Sequence, residues 1–105
     1  MMGKADWWKA ELLFPLYDNE DRPFPEEDWR WLRDEVTKLT EGFTDLGVVQ
    51  GWWLGRSDTL RWIMMIVKTE REVEVIREFL RVARQRFRQD CMFLSYYSVH
   101  FEEVK

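Results

Sequence analysis

Leu60-Arg61-Trp62-Ile63-Met64-Met65-Ile66-Val67-Lys68 runs straight into Thr69-Glu70-Arg71-Glu72-Val73, and this junction decides the fold. Residues 60–68 are dense in β-branched and large apolar side chains, which predicts a strand. Thr69, with Glu72 three positions later, has the spacing of a capping box, so a helix begins at once. Val73, Ile76, Leu80, Ala83 and Phe87 then recur every three or four residues and make one apolar face. Glu70, Glu72 and Glu74 lead this helix and Arg77, Arg81, Arg84, Arg86 and Arg88 follow, the order that suits the helix dipole. The arginines could bind an anion, but they follow helical spacing around the apolar stripe and are expected to form a solvated flank.

Outward from the junction the pattern repeats. Residues 92–101 read as a closing strand, and residues 48–54 as a strand joined to 60–68 through the hairpin loop Gly55-Arg56-Ser57-Asp58-Thr59. Thr44-Asp45-Leu46-Gly47 predicts a turn. Before it, Pro25 and the acidic Glu26, Glu27 and Asp28 mark a helix start, and Trp29, Leu32, Val36, Leu39 and Phe43 form its stripe. Gly42 should end that helix near Glu41. Residues 18–23 form a polar loop. Residues 8–16 alternate in period two, and Pro15, lacking an N–H, should end that strand near Phe14 or place it at an edge. The order is β-α-β-β-α-β. It predicts one α+β, ferredoxin-like domain over residues 1–105, with two helices on one face of a four-stranded antiparallel sheet.

Composition narrows the function classes. The chain has 105 residues, 46% hydrophobic and 34% charged, with one cysteine and one histidine. This excludes a disulfide framework or a Cys/His zinc cluster, and neither a metal nor another cofactor is expected. A net charge of −4 argues against nucleic-acid or anionic-membrane partners held mainly by charge. The first six residues carry no apolar targeting segment, and no apolar run is long enough to span a bilayer, so a cytoplasmic location is expected. Seven Trp, seven Phe and three Tyr are the unusual feature.

A sheet covered on one side alternates apolar and polar residues, and these strands do not. Leu60, Trp62, Met64 and Ile66 share one face of residues 60–68, yet Ile63, Met65 and Val67 share the other. In the last strand Phe93, Tyr97, Val99 and Phe101 oppose Met92, Leu94 and Tyr96. Two helices cover one side, so a second copy of the chain is the expected cover for the other, as in a dimeric α/β barrel. The candidate ligand-binding or dimer face comprises Trp53, Met65, Tyr97, Arg56 and His100. The same residues would line a pocket for a small apolar ligand, or the cleft of an enzyme acting on a small apolar or aromatic compound. An aromatic platform that stacks bases is disfavoured by the acidic balance.

Catalytic patterns are sparse. His100 could be oriented by Glu102, its same-side neighbour, but reads better as a surface or interface residue. Cys91 lies near Arg86 and Arg88, yet is expected to be a small buried hydrophobe. Tyr96 and Tyr97 divide between core and interface. Asp18, Glu20, Asp21, Glu26, Glu27 and Asp28 lack EF-hand spacing. Phosphate-loop, dinucleotide and nucleophile-elbow motifs are missing from the sequence. Residues 1–45 hold six basic and twelve acidic side chains, a net of −6, against +2 for the rest. That asymmetry admits an acidic decoy blocking a basic protein surface through Asp18, Glu20 and Asp21.

Several fragments occur together: Leu13-Phe14, Trp29 and Trp31, Phe43-Thr44-Asp45-Leu46-Gly47, Gly51-Trp52 and Arg86-Phe87-Arg88-Gln89-Asp90. Over residues 10–101 this resembles a bacterial domain-of-unknown-function family of small α+β proteins with F-x-x-G, G-x-W and R-F-x-Q motifs. The chain departs in placing Gly47 one position late and in the polar residues 18–22. The resemblance implies a ferredoxin-like fold and no assigned chemistry, and marks Gly51, Trp52, Phe87 and Gln89 as motif positions. Gln89 would satisfy a free carbonyl at the helix end or tie down the loop near Thr44-Asp45. Together these features favour a non-catalytic, homodimeric binding or interaction protein.

Overall fold

A computed structural model describes residues 7–105, and the start of the chain read above for targeting signals lies outside them. The elements are β1 Trp7–Pro15, α1 Glu26–Leu39, β2 Phe43–Trp53, β3 Arg56–Val67, α2 Glu70–Arg86 and β4 Phe93–Val99. They form one sheet in the order β2-β3-β1-β4, every neighbour antiparallel. This is the ferredoxin-like arrangement. β1 is central, and Pro15 is tolerated because β4 stops pairing at Leu13, leaving no partner on that side to miss an N–H.

The capping box forms as read: Thr69 accepts from the Glu72 backbone N–H, and Glu72 Oε2 accepts from the Thr69 N–H. The other end of α2 closes in a Schellman motif. Arg88 N–H donates to Gln85 O and Gln89 N–H to Arg84 O, with Arg88 at φ 50°. Gln89 Nε2 donates to Phe87 O at 2.8 Å. The Arg-Phe-x-Gln run is therefore a helix stop: Phe87 is wholly buried, and the residues after it satisfy the last carbonyls.

The core lies between the helices and one sheet face. Ala10, Leu12 and Phe14 of β1 face Ile63 and Met65 of β3 and Leu94 of β4 across the register, beneath Leu32 and Val36 of α1 and Val73, Ile76 and Ala83 of α2. Phe87 sits 4.9 Å from the Phe24 ring, 5.2 Å from Trp29 and 5.5 Å from Phe14. Asp28, buried in α1, accepts from Arg86 Nε at 2.9 Å, and the Arg86 guanidinium lies over Trp31. One ion pair thus ties the two helices.

Two sequence expectations change. Residues 43–47 are strand: Phe43 leaves the α1 stripe to pair with Met65. The turn chemistry survives as a bulge between Asp45 and Gly47, where Asp45 Oδ1 accepts from the Gly47 N–H and Gly47 adopts φ 90°. Pairing with β3 overrides the local turn preference. Likewise residues 55–59 are not a loop, since Gly51↔Asp58, Trp52↔Ser57 and Trp53↔Arg56 continue the ladder to a two-residue turn. Leu54 at φ 50° and Gly55 at φ 79° make that turn, the positive-φ pair of a type I′ hairpin. β1 reaches only to Leu60, so the hairpin projects beyond the sheet, and the molecule measures 53 × 31 × 27 Å. Among the described residues no helix is long and apolar enough to cross a membrane.

Candidate functional site on the open sheet face

The strand period of two sends alternate residues away from the helices. From β3 these are Leu60, Trp62, Met64 and Ile66; from β1, Lys9, Glu11 and Leu13; from β4, Phe93, Ser95, Tyr97 and Val99. Leu13 lies between Trp62 on one side and Phe93 on the other. Phe93 is 59% exposed. At this end of the face, Leu13, Leu60, Phe93, Gly51 and Trp52 line a groove of about 480 Å³ whose polar groups are Glu11, Asp58 and Ser95. Gly51 keeps its floor open, because a Cβ there would stand 3.0 Å from Leu60 Cδ1. Trp52, at 72% exposed, rises on the projecting hairpin.

The expected site residues separate. Met65 does not belong to the open face: it is 0% exposed, in the core under the helices, opposite Ala10. The sequence shows that residues 60–68 have two apolar faces, but not which one the helices take. Tyr97 is on the open face, and its hydroxyl donates to Glu11 Oε1 at 3.0 Å, with Lys9 Nζ 5.9 Å from its ring. Trp53 pairs with Arg56 beside the hairpin turn, and its side chain lies outside the described residues. Arg56 and His100 are both exposed, at opposite ends of the sheet. Val99, next to His100, pairs with Trp7, whereas Arg56 lies beyond the Pro15↔Leu60 end, about 40 Å along the strand at ~3.3 Å per residue. They cannot share one small pocket. Leu13, Leu60 and Phe93, which do, are not among the expected site residues. Lys9 and Glu11 were the available signal, since polar residues alternating with Ala10 and Leu12 mark the solvent side.

Cys91 is exposed rather than buried, because it lies in the segment before β4 and not on its core face. The acidic loop is tied to itself. Asp18 Oδ1 accepts from the Glu20 N–H at 2.8 Å and the Arg22 N–H at 2.9 Å, while Glu20 pairs with the Arg22 side chain at 3.0 Å. The Arg22 N–H foremost, with the Glu20 N–H and the Arg22 charge, outweighs desolvation and holds the Asp18 carboxyl below its usual range. Among the described residues no group of three potential metal ligands converges.

No family model and no curated protein matches the chain. Among solved structures the fold is similar to a phage SAM lyase in complex with S-methyl-5′-thioadenosine. The TM-score is 0.59 at 12% identity, covering 93% of this chain and 85% of that one. At that identity the likeness shows the fold alone.

Proposed function

We propose that this protein is a non-catalytic, homodimeric binding protein whose open sheet face packs against a second copy of itself. The observation that supports it most is the β3 row Leu60, Trp62, Met64 and Ile66 opposite the helices, an apolar surface that widens to three strands where Leu13 stands between Trp62 and Phe93 and is bordered by Glu11 and Lys9 elsewhere. A contiguous surface of this kind is the usual core of an interface, and Trp, Met and Tyr are enriched there. A self-complementary sheet face needs only a two-fold axis. Light scattering should give twice 13.0 kDa, independent of concentration over the micromolar range. Met64→Lys is the discriminating variant: the new charge stands opposite Glu11, which suits the sheet of one copy but not a dry interface. It should shift the mass to that of one chain without loss of folded structure. Wild-type protein that is monomeric at every concentration would falsify the dimer.

The 480 Å³ groove favours a second reading, an enzyme in which dimerisation closes this cleft over a small apolar or aromatic compound. The likeness to a lyase complex shares this fold but carries no residue across. Native mass spectrometry of freshly purified protein distinguishes the two, because a retained small molecule released by Leu60→Glu would support the cleft.

A further inference from the structure

Between Arg77 and Arg88 the chain carries five arginines against one acid, Glu78, although its net charge is −4. The structure divides them into two sets. Arg86 is held by Asp28 and Trp31, and Arg88 lies 5.6 Å over the Phe24 ring and 3.8 Å from Asp18, so both serve the packing of the first helix and its loop. Arg77, Arg81 and Arg84 follow the other flank of α2. They line a groove of about 410 Å³ between that helix and β4, the edge strand of the sheet. This groove is on the helix side, away from the open face.

Its floor is apolar, made by Leu80, Met92 and Leu94. The polar groups are not spread evenly. At one end Arg77 Nη2 stands 3.4 Å from the Tyr96 hydroxyl, with the guanidinium 5.6 Å from the tyrosine ring. Arg81 follows one turn later. At the other end Arg84 Nη1 donates to the Gln89 carbonyl at 3.1 Å, beside Asp90 and Cys91. Arg77 and Arg81 pair with Glu74 and Glu78 on the exposed helix surface, weak contacts that leave other guanidinium donors to the groove.

We infer that this groove binds a small amphiphilic anion. Its apolar body lies on Leu80, Met92 and Leu94, and its carboxylate or phosphate head is held by Arg77 and Arg81 beside the Tyr96 hydroxyl. Guanidinium groups match such heads with paired hydrogen bonds, and the volume is in the range of small-molecule sites. At the Cys91 end Asp90 offsets the charge of Arg84, which already donates to the Gln89 carbonyl, whereas Arg77 and Arg81 stand together at the other end, so the head lies toward Tyr96 and the tail toward Cys91. A nucleic-acid backbone would need an uninterrupted basic track, and Glu74, Glu78 and Asp90 break this one.

Cys91 is the one cysteine in the chain and lines the tail end, so it reports occupancy of this groove and not of the open face. The experiment is the rate of Cys91 alkylation by iodoacetamide in octyl phosphate, octanoate, octanol or inorganic phosphate. Octyl phosphate or octanoate should slow it at least fivefold at saturation, and whichever acts at the lower concentration identifies the preferred head. Octanol and inorganic phosphate at the same concentrations should leave the rate unchanged. Arg77→Gln with Arg81→Gln should abolish the protection. Arg81→Gln alone, which breaks no contact to β4, should raise the concentration needed several-fold. Absence of protection by both anions, equal protection by octanol, or undiminished protection in the double variant would each overturn the inference.

Discussion

Met64 and Met65 are adjacent, identical in chemistry and on the same central strand, yet they have opposite surroundings. Met65 is sealed under the helices opposite Ala10, while Met64 lies on the open face opposite Glu11. The same holds for Ile63 against Trp62 and for Leu12 against Leu13. Hydrophobicity alone therefore does not locate the core of this protein. One apolar face is completed within the chain, and the other presents a partly apolar surface, crossed by Lys9 and Glu11, that the chain leaves open. Stability should depend on the first and assembly on the second.

The sharpest break in that comparison is at the aromatic centre of the closed face. Phe87→Ala removes a wholly buried ring contacted by three others and should cost about 3–5 kcal/mol, read from urea unfolding. Phe93→Ala, the matching truncation on the open face, should cost well under half of that in a single chain, because the ring is already largely in water. Equal losses for the two would show that the faces are energetically alike.

Helix attachment comes next. Arg86→Leu leaves Asp28 without its partner and removes the cation above Trp31, so a loss on the order of 2 kcal/mol is expected. That lies between the limits for exposed and buried pairs. Asp28→Asn with Arg86→Leu should recover part of it, since no unpaired carboxylate remains. The alkylation kinetics at Cys91 should not change, because Arg86 does not line that groove.

Acid should act on the loop rather than on either face. The Asp18 carboxyl is held low by the Arg22 and Glu20 N–H groups, and that of Glu26 by its hydrogen bond from Arg33. A folded pKa below the unfolded one contributes stability that is complete above the unfolded value and is lost as pH falls through the folded one. Melting temperature should therefore fall below about pH 4, and Asp18→Asn should flatten that decline. The smallest effect is expected at the hairpin. Leu54 occupies a left-handed conformation that suits asparagine, so Leu54→Asn should raise stability by about 1 kcal/mol without altering the solution mass.

Much of the fold is legible in the residues themselves. Thr69 and Glu72 fix the start of α2 because a capping box is a local structure, complete within four residues. The Arg86-to-Gln89 run fixes its end for the same reason. The period-two pattern of β1 survives because alternation needs no knowledge of a partner. The expectations that failed concerned contacts between distant segments. Residues 44–47 carry a turn sequence, yet they join the sheet because β3 offers a ladder to pair with.

What the sequence alone determined is the order of elements, the helix limits to within a few residues, and the existence of two apolar sheet faces. Which face the helices cover, and hence whether Met64 or Met65 is left open, was decided by the pairing of β3 with β1. Shifting that register by one residue would exchange every side chain between the two faces. Tertiary structure alone also placed Arg56 and His100 at opposite ends of the sheet, and sorted the five arginines from Arg77 to Arg88 into clamps and groove wall. Such groupings depend on long-range packing of whole elements, which a local pattern of residues does not encode.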